Sequence, residues 1–333
     1  MNPLLAAFRL PLVLAKHGEL LGAFVRRELR ARIEGSILGR LWPIVQPMVL
    51  FAIYYLVFAQ ILKIGFSDDL APHEPERVGW RSTFYLITGI LPWTALAESL
   101  TRGSSVVLEN ANLIKKIAFP SELLPVYSTV VLHVYFLVGF VILLGLELAV
   151  NGGLPASLGW FPLLLLTQFL FVNGIAMFLS AANIFVRDVT QAVPVIVTFW
   201  MFTTPVFYDL STISKQTEYA AFVAAEQVKQ AEAALAERGS DPQVVAALQA
   251  ALSESREKQI KARDTQELTE SMVGYMELNP MATLLELYRS IFSYGKVPFP
   301  VLKLLKLLGI AVLVQYLAYA FFLRSKGRFA DEV

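Results

Sequence analysis

Basic residues beside a helical apolar stripe are the first chemistry visible in this chain. Between Gly18 and Glu34, the residues Leu21, Val25, Leu29 and Ile33 recur every fourth position, with Arg26, Arg30 and Glu34 alongside. That spacing suits an amphipathic helix lying in a membrane interface, apolar side toward acyl chains and arginines toward phosphates. Two roles stay open for it: an anchor with no ligand, or a helix that handles an anionic lipid headgroup. Aromatic residues with polar handles carry a second kind of chemistry. Tyr54, Tyr55, Trp200 and Tyr208 lie in or at the ends of long apolar runs, where a hydroxyl or indole N–H wants a partner. Their faces can stack on the C–H face of a sugar ring with little regard to which sugar it is. Most of the phenylalanines read as lipid or packing contacts, and Trp42 and Trp160 at run ends fit an interfacial belt.

Catalytic patterns are missing. Gly295-Lys296 is followed by Val297 and lacks the upstream glycine of a phosphate-binding loop, so nucleotide hydrolysis in the P-loop manner is excluded. Asp68-Asp69 lies in a short acidic loop, with no soluble domain around it to hold a sugar nucleotide. Ser99, Ser104 and Ser105 make no nucleophile elbow, and His133 has no acid beside it in sequence. The three histidines, His17, His73 and His133, are isolated and there is no cysteine, which argues against a resident metal site and excludes disulfides and thiolate chemistry. The expectation is a chain that is not an enzyme and carries no cofactor of its own.

The elements that must position these residues are membrane spans. Of 333 residues, 56% are hydrophobic and 17% charged, and mean hydropathy is +0.57, against roughly a quarter charged in a soluble domain. A net charge of +1 points to no nucleic-acid partner. Stretches free of Asp, Glu, Lys and Arg run over 41–62, 123–146, 161–186 and 189–208, long enough to cross a hydrocarbon core as helix. A further span from Thr83 must pass Glu98 and Arg102, which stand at i and i+4 and can neutralise each other. The last, 300–323, carries Lys303 and Lys306 near its start, where long side chains snorkel. Six spans is the count.

Basic residues orient them. With both termini cytoplasmic, fourteen Lys and Arg fall on the inner side, from Arg9 to Arg328, whereas the two short outer loops hold only Arg77 and Arg81 besides Lys63 at the edge of the first span. The layout is a cytoplasmic segment 1–40 with the interface helix, five spans over 41–210, an external segment 211–299, a sixth span 300–323 and a cytoplasmic tail 324–333. The N-terminus does not read as a cleavable signal, since Arg9 and Pro11 break its apolar run.

The external segment is rich in Ala, Glu, Gln and Lys from 218 to 272, which favours helix. Arg238-Gly239 closes one helix and Ser240-Asp241-Pro242 opens another, giving an antiparallel hairpin that projects outward. Its second helix would run about 45 Å to Met272. Val245, Leu248, Leu252 and Ile260 approximate a heptad seam facing Tyr219, Phe222, Val223 and Leu235. The hairpin is either a solvated spacer or a docking arm for an external partner. Leu278-Asn279-Pro280 breaks the second helix, and 281–294 resumes an amphipathic pattern near the outer surface.

One resemblance covers nearly the whole chain apart from that hairpin. The stretch from Arg30 to Pro47, with Arg30, Arg32, a Ser36-Ile37-Leu38-Gly39 turn, Arg40, Trp42 and Pro43, resembles the entry to the first span of ABC-transporter permeases that export lipid-linked polysaccharide such as O-antigen, capsule or teichoic acid. Asn112 to Pro120, Phe185 to Val189, and Asn279-Pro280 through Tyr288-Arg289 agree in order. The family's aromatic after the basic pair is Ile33 here, and the hairpin is longer than usual. The resemblance implies an all-α integral membrane protein of the bacterial cytoplasmic (inner) membrane, a homodimer paired with two copies of a separate ATP-binding cassette subunit that binds ATP and Mg. It implies that Asn112, Leu113, Ile114, Lys115 and Lys116, with the interface helix, contact that subunit. A polyprenyl-diphosphate carrier would enter near Arg30, Arg32 and Arg40, whose guanidiniums suit bidentate phosphate binding. The glycan would thread aromatics of spans one and five: Trp42, Tyr54, Tyr55, Trp200 and Tyr208. Rival readings are an ABC exporter permease for a lipid or drug, and a membrane scaffold that transports nothing.

Overall fold

The computed structural model describes residues 9–61 except Ile33 and Ser36, and residues 75–116, 119–237, 242–292 and 298–332. All regular structure among them is helical. Short α1 (Leu10–Lys16) and α2 (Gly18–Ala31) precede α3 (Trp42–Tyr54), which continues as a π-helix over Tyr55–Ile61. Then come α4 (Pro75–Glu109), the short α5 (Ala111–Lys116), α6 (Leu123–Asn151), α7 (Phe161–Phe185) and α8 (Val189–Phe202). The sequence between them explains several ends. Pro43 and Pro162 fall in first turns, where no amide donor is required. Gly152, with φ 72°, closes α6 in the left-handed conformation that a side chain resists. After α9 (Leu210–Glu237), α10 (Pro242–Glu277) and α11 (Pro280–Ile291), the chain finishes with α12 (Val301–Lys326) and α13 (Phe329–Glu332).

Three helical stretches among the described residues are long and apolar enough to cross a bilayer: Leu123–Asn151, Ala156–Phe185 and Val301–Lys326. Trp42–Val57 and Val189–Phe202 are shorter apolar helices, and α4 is 35 residues long with Glu98 and Arg102 in its second half.

Two compact units emerge: α1–α8 with α11–α13, and α9 with α10. In the first, α7 is the central post. Its small residues let neighbours approach to backbone distance, the way helices pack where no water drives association. A Cβ placed on Gly103 of α4 would stand 2.7 Å from the Ala176 Cβ, and one on Gly174 would stand 2.9 Å from Gln315 Cα of α12. Beside that crossing the Asn173 amide donates to Gln315 Oε1 at 2.8 Å, a polar link buried inside the helices. Tyr288 of α11, 1% exposed, donates its hydroxyl to Gln168 of α7.

The second unit is the expected hairpin, with longer arms. Thirty-six residues give α10 a length of about 54 Å, and Pro242 starts it as the sequence predicts. Its seam differs from the expectation. The covered positions include Thr217, Ala221, Ala224, Val228, Ala231 and Leu235 on α9, with Val223 beside them, and Val245, Leu248, Leu252, Ser255, Gln259, Ala262, Gln266, Thr269, Val273 and Met276 on α10. Both sets step by alternating threes and fours, a regular heptad seam. Tyr219, Phe222 and Ile260 are 69%, 65% and 60% exposed and lie outside it. Small alanines bring the arms close together, and a bulky ring would hold them apart. Arg256 of α10 bonds Glu232 of α9 at 2.8 Å and fixes the antiparallel register.

Candidate functional site

The interface helix α2 forms as expected, with its apolar stripe turned elsewhere. Leu21, Val25 and Leu29 pack against the buried cluster that includes Val126, Tyr127, Val131 and Tyr319, and Phe24 is itself buried there. The Phe24 ring stacks on Tyr127 at 5.3 Å and meets Phe119 edge-on at 5.6 Å. The stripe thus faces α6 and its neighbours where the sequence reading had acyl chains, because a helix this close to the bundle buries more area on protein than on lipid. Ile33 lies outside the described residues.

The arginines separate by role once their partners are placed. Arg26 and Arg30 are exposed. Arg32, also exposed, is engaged: its Nε stands 3.8 Å from Glu28 Oε1, and its guanidinium lies 5.2 Å from the Tyr135 ring centroid. Arg40 belongs to a short 3-10 turn, Gly39–Leu41, and its side chain lies outside the described residues. Arg102 does not pair with Glu98 as the i, i+4 spacing suggests. It reaches Glu28 of α2 at 2.5 Å and ties the interface helix to α4. Glu28 thus faces two arginines, and Glu98 is exposed. No local pattern could reveal this pairing, since its partners are 74 residues apart.

The segment read as an ATPase contact is split. Leu113 and Ile114 of α5 turn inward against the same buried cluster as α2, whereas Asn112 and Lys115 are exposed; the Lys116 side chain lies outside the described residues. One cluster therefore carries both α2 and α5. Nearby, Lys326 at the end of α12 donates to the buried Glu122 carboxylate at 2.6 Å and fixes the final helix to the start of α6.

The aromatic set is dispersed. Trp42 and Tyr54 stand at opposite ends of α3, about 18 Å apart along its axis. Tyr55 accepts a hydrogen bond from Gln60 at 2.9 Å. Trp200 of α8 is packed edge-on against Trp93 at 6.0 Å and against Phe171 at 6.4 Å, so one of its flanks is core. Tyr208 belongs to the hairpin unit and donates its hydroxyl to Met276 Sδ at 3.6 Å.

No chemistry of bond making is assembled among the described residues. No group of three His, Asp or Glu there could hold a metal ion. His133 is buried and donates from Nδ1 to the Thr129 carbonyl at 2.9 Å, beside Phe169 at 5.3 Å. It borders a crevice of about 300 Å³ between α6 and α7 whose other lining residues, such as Leu137, Leu165 and Phe169, are all apolar. A residue that sequence reasoning left without a role is Arg289, whose guanidinium meets three backbone carbonyls on two other elements.

The sequence matches a known membrane family, the ABC-2 type transporter, over residues 19–223. The chain belongs to the ABC-2 type transporter family. It is a multi-pass membrane protein. The match takes in α2 through α8, the elements that carry Arg30, Arg32, Trp200 and the α5 segment. A relative from Myxococcus xanthus, the O-antigen export system permease protein RfbA, is 31% identical over 209 residues, covering 63% of this chain and 75% of its own length. A protein of the same description from Klebsiella pneumoniae is 28% identical over 201 residues, covering 60% and 72%. Within this ABC-2 family chain, the second half of α9 and all of α10 to α13 lie beyond the matched residues.

Proposed function

We propose that this chain is the transmembrane subunit of an ATP-driven exporter that moves lipid-linked polysaccharide, O-antigen-like in kind, across the bacterial cytoplasmic membrane. The observation that carries the reading is family membership joined to two relatives described as O-antigen export permeases. The reading assigns six spans, to α3, α4, α6, α7, α8 and α12, with both termini cytoplasmic, and the distribution of Lys and Arg supports it. Residues 1–40 form the inner segment, 41–210 the first five spans, 211–299 the external segment, 300–323 the last span and 324–333 the tail.

The chain supplies positioning and no bond chemistry. Two copies pair with two ATP-binding cassette subunits, which hold ATP and Mg; this chain holds no cofactor. The exposed Asn112 and Lys115 on α5, braced by inward Leu113 and Ile114, suit a surface that receives a push from below. Since α2 and α5 rest on one cluster, movement at either reaches α6 and α12 as a rigid-body displacement. Arg30 on the open face of α2, with Arg32 and Arg40 near it in sequence, offers guanidiniums to a polyprenyl diphosphate. Trp42, Tyr54, Tyr55, Trp200 and Tyr208 offer ring faces to the glycan.

Purification of the chain from its native host together with bound partners, followed by ATPase measurement with and without lipid-linked oligosaccharide, tests the proposal. It predicts a co-purifying ATP-binding subunit whose turnover rises with the oligosaccharide. A chain that purifies with no ATPase, or one whose ATPase responds only to a drug or simple lipid, removes it.

A further inference from the structure

The end of α8 presents an unusual demand. A helix C-terminus leaves its last carbonyls without intrahelical donors; those of α8 are met locally, by the Thr203 amide on Phe199 O at 3.3 Å and the Thr204 amide on Met201 O at 3.2 Å, and the demand passes to the turn beyond them. The Thr203 and Thr204 hydroxyls both donate back to Trp200 O, at 3.1 and 2.8 Å, and residue 205 is proline, with no amide hydrogen. Val206 is nonetheless fully buried. Carbonyls of the turn itself are met from another element. Arg289 of α11 places Nη2 at 2.7 Å from Pro205 O and 3.0 Å from Val206 O, and Nε at 3.4 Å from Tyr85 O of α4. Its Cζ lies 3.7 Å from the Tyr85 ring centroid.

We infer that Arg289 is the positioning residue that clamps the turn after α8 to α4 and α11, and that this clamp closes the outer end of the translocation path. Only a planar fork can address three carbonyls while stacking on a ring, which a lysine ammonium cannot reproduce. The neighbouring Tyr288 is bonded to Gln168 of α7, so α11 holds Arg289 from a fixed base. Gly89 is part of the same device, because a Cβ there would lie 2.7 Å from Arg289 Nη2 and 3.0 Å from Val206 O. The inference deepens the proposed export function and rests on its topology.

A cysteine-free chain allows a clean test. Val206→Cys is introduced, which leaves the 206 carbonyl in place, and the complex with its ATPase subunit is labelled with a membrane-impermeant maleimide applied from either side. The resting complex should label slowly, from outside only. Arg289→Ala and Gly89→Ala should each raise the rate about tenfold, the loss expected for one charge-assisted hydrogen bond, with Arg289→Lys between them and the wild type. Stimulation of ATP hydrolysis by lipid-linked oligosaccharide, relative to the basal rate, should fall several-fold in Arg289→Ala and recover in part in Arg289→Lys, which a residue serving only stability would not do. Should Arg289→Ala fail to assemble, Gly89→Ala and Arg289→Lys decide the matter. Unchanged labelling in those two variants overturns the clamp. Labelling from the cytoplasmic side alone overturns the outward placement on which it rests, while variant-dependent rates would still support a clamp.

Discussion

The crossing of α4 on α7 at Gly103 and Ala176 gives a sharp packing prediction. In Gly103→Ala the new methyl would start 2.7 Å from the Ala176 Cβ, against an ordinary contact of 3.4–4 Å. The two helices must therefore part by about an ångström or the backbone must bend, an overpacking cost of about 1–3 kcal/mol. Ala176→Gly alone should also destabilise, by about 1 kcal/mol from lost helix propensity. Combined, the two changes leave one methyl at the crossing, as in the native chain, and the double variant should recover about 1–2 kcal/mol relative to the sum of the singles. The Gly174 crossing is the control. There the clash is with Gln315 Cα and N at 2.9 Å, so Gly174→Ala cannot be rescued by Gln315→Ala, which also removes the 2.8 Å bond from Asn173. Reversible unfolding of the purified chain in mixed detergent, read as a four-member cycle at each crossing, measures both. Additive energies at Gly103 and Ala176, or rescue at Gly174, would refute the backbone-contact reasoning.

Other perturbations test other links. Glu28→Gln should release Arg102 and Arg32 together and cost about 1 kcal/mol, discounted because Arg102 is 40% exposed; protease sensitivity near residues 30–40 should rise, and unchanged digestion would contradict the docking of α2. Arg30→Ala should lower oligosaccharide-stimulated ATPase with no change in unfolding midpoint, whereas Arg32→Ala should lower both, since Arg32 also holds Glu28 and Tyr135; identical behaviour of the two would return Arg30 to an anchoring role. In the hairpin, hydrogen bonds from Lys258 and Lys261 hold the Glu254 and Glu257 carboxyls below their usual range. A depressed folded value means stabilisation present above the ordinary carboxylate pKa and lost as pH falls through the folded one. Carboxyl NMR of the full chain should show Glu254 titrating at higher pH in Lys258→Ala, and no movement would dismiss the pairing.

Much of this fold is written in local pattern. Runs without charge announced α3, α6, α7 and α8, an apolar run with lysines only near its start announced α12, and Gly239 with Pro242 marked the break between two hairpin helices, because these signals need only neighbours in sequence. What stayed hidden needs neighbours in space. The expected hairpin seam held at Val245, Leu248, Leu252 and Leu235 and failed at Tyr219, Phe222 and Ile260, because size suggested these three while the arms close on Ala221, Ala224 and Val228, whose smaller size permits approach. Glu98 and Arg102 matched a local ion-pair rule, yet Glu28 arrives from another helix with better geometry. Arg289 stood inside a recognisable Tyr-Arg pair with no sign of its target, since backbone carbonyls after a distant helix leave no trace in composition. The aromatics illustrate the same limit, for periodicity could show that Trp200 was apolar-facing but not that Trp93 and Phe171 take part of its surface.

The central claim is that this chain is a conduit powered by a neighbour. Sealed vesicles containing the chain and its ATP-binding subunit, loaded on the ATPase side with lipid-linked polysaccharide, measure it directly through glycan reaching the opposite face. The account predicts transfer that requires ATP, Mg and both subunits. Transfer by the chain alone, or ATP hydrolysis by the complex with no glycan crossing under any condition, would contradict it.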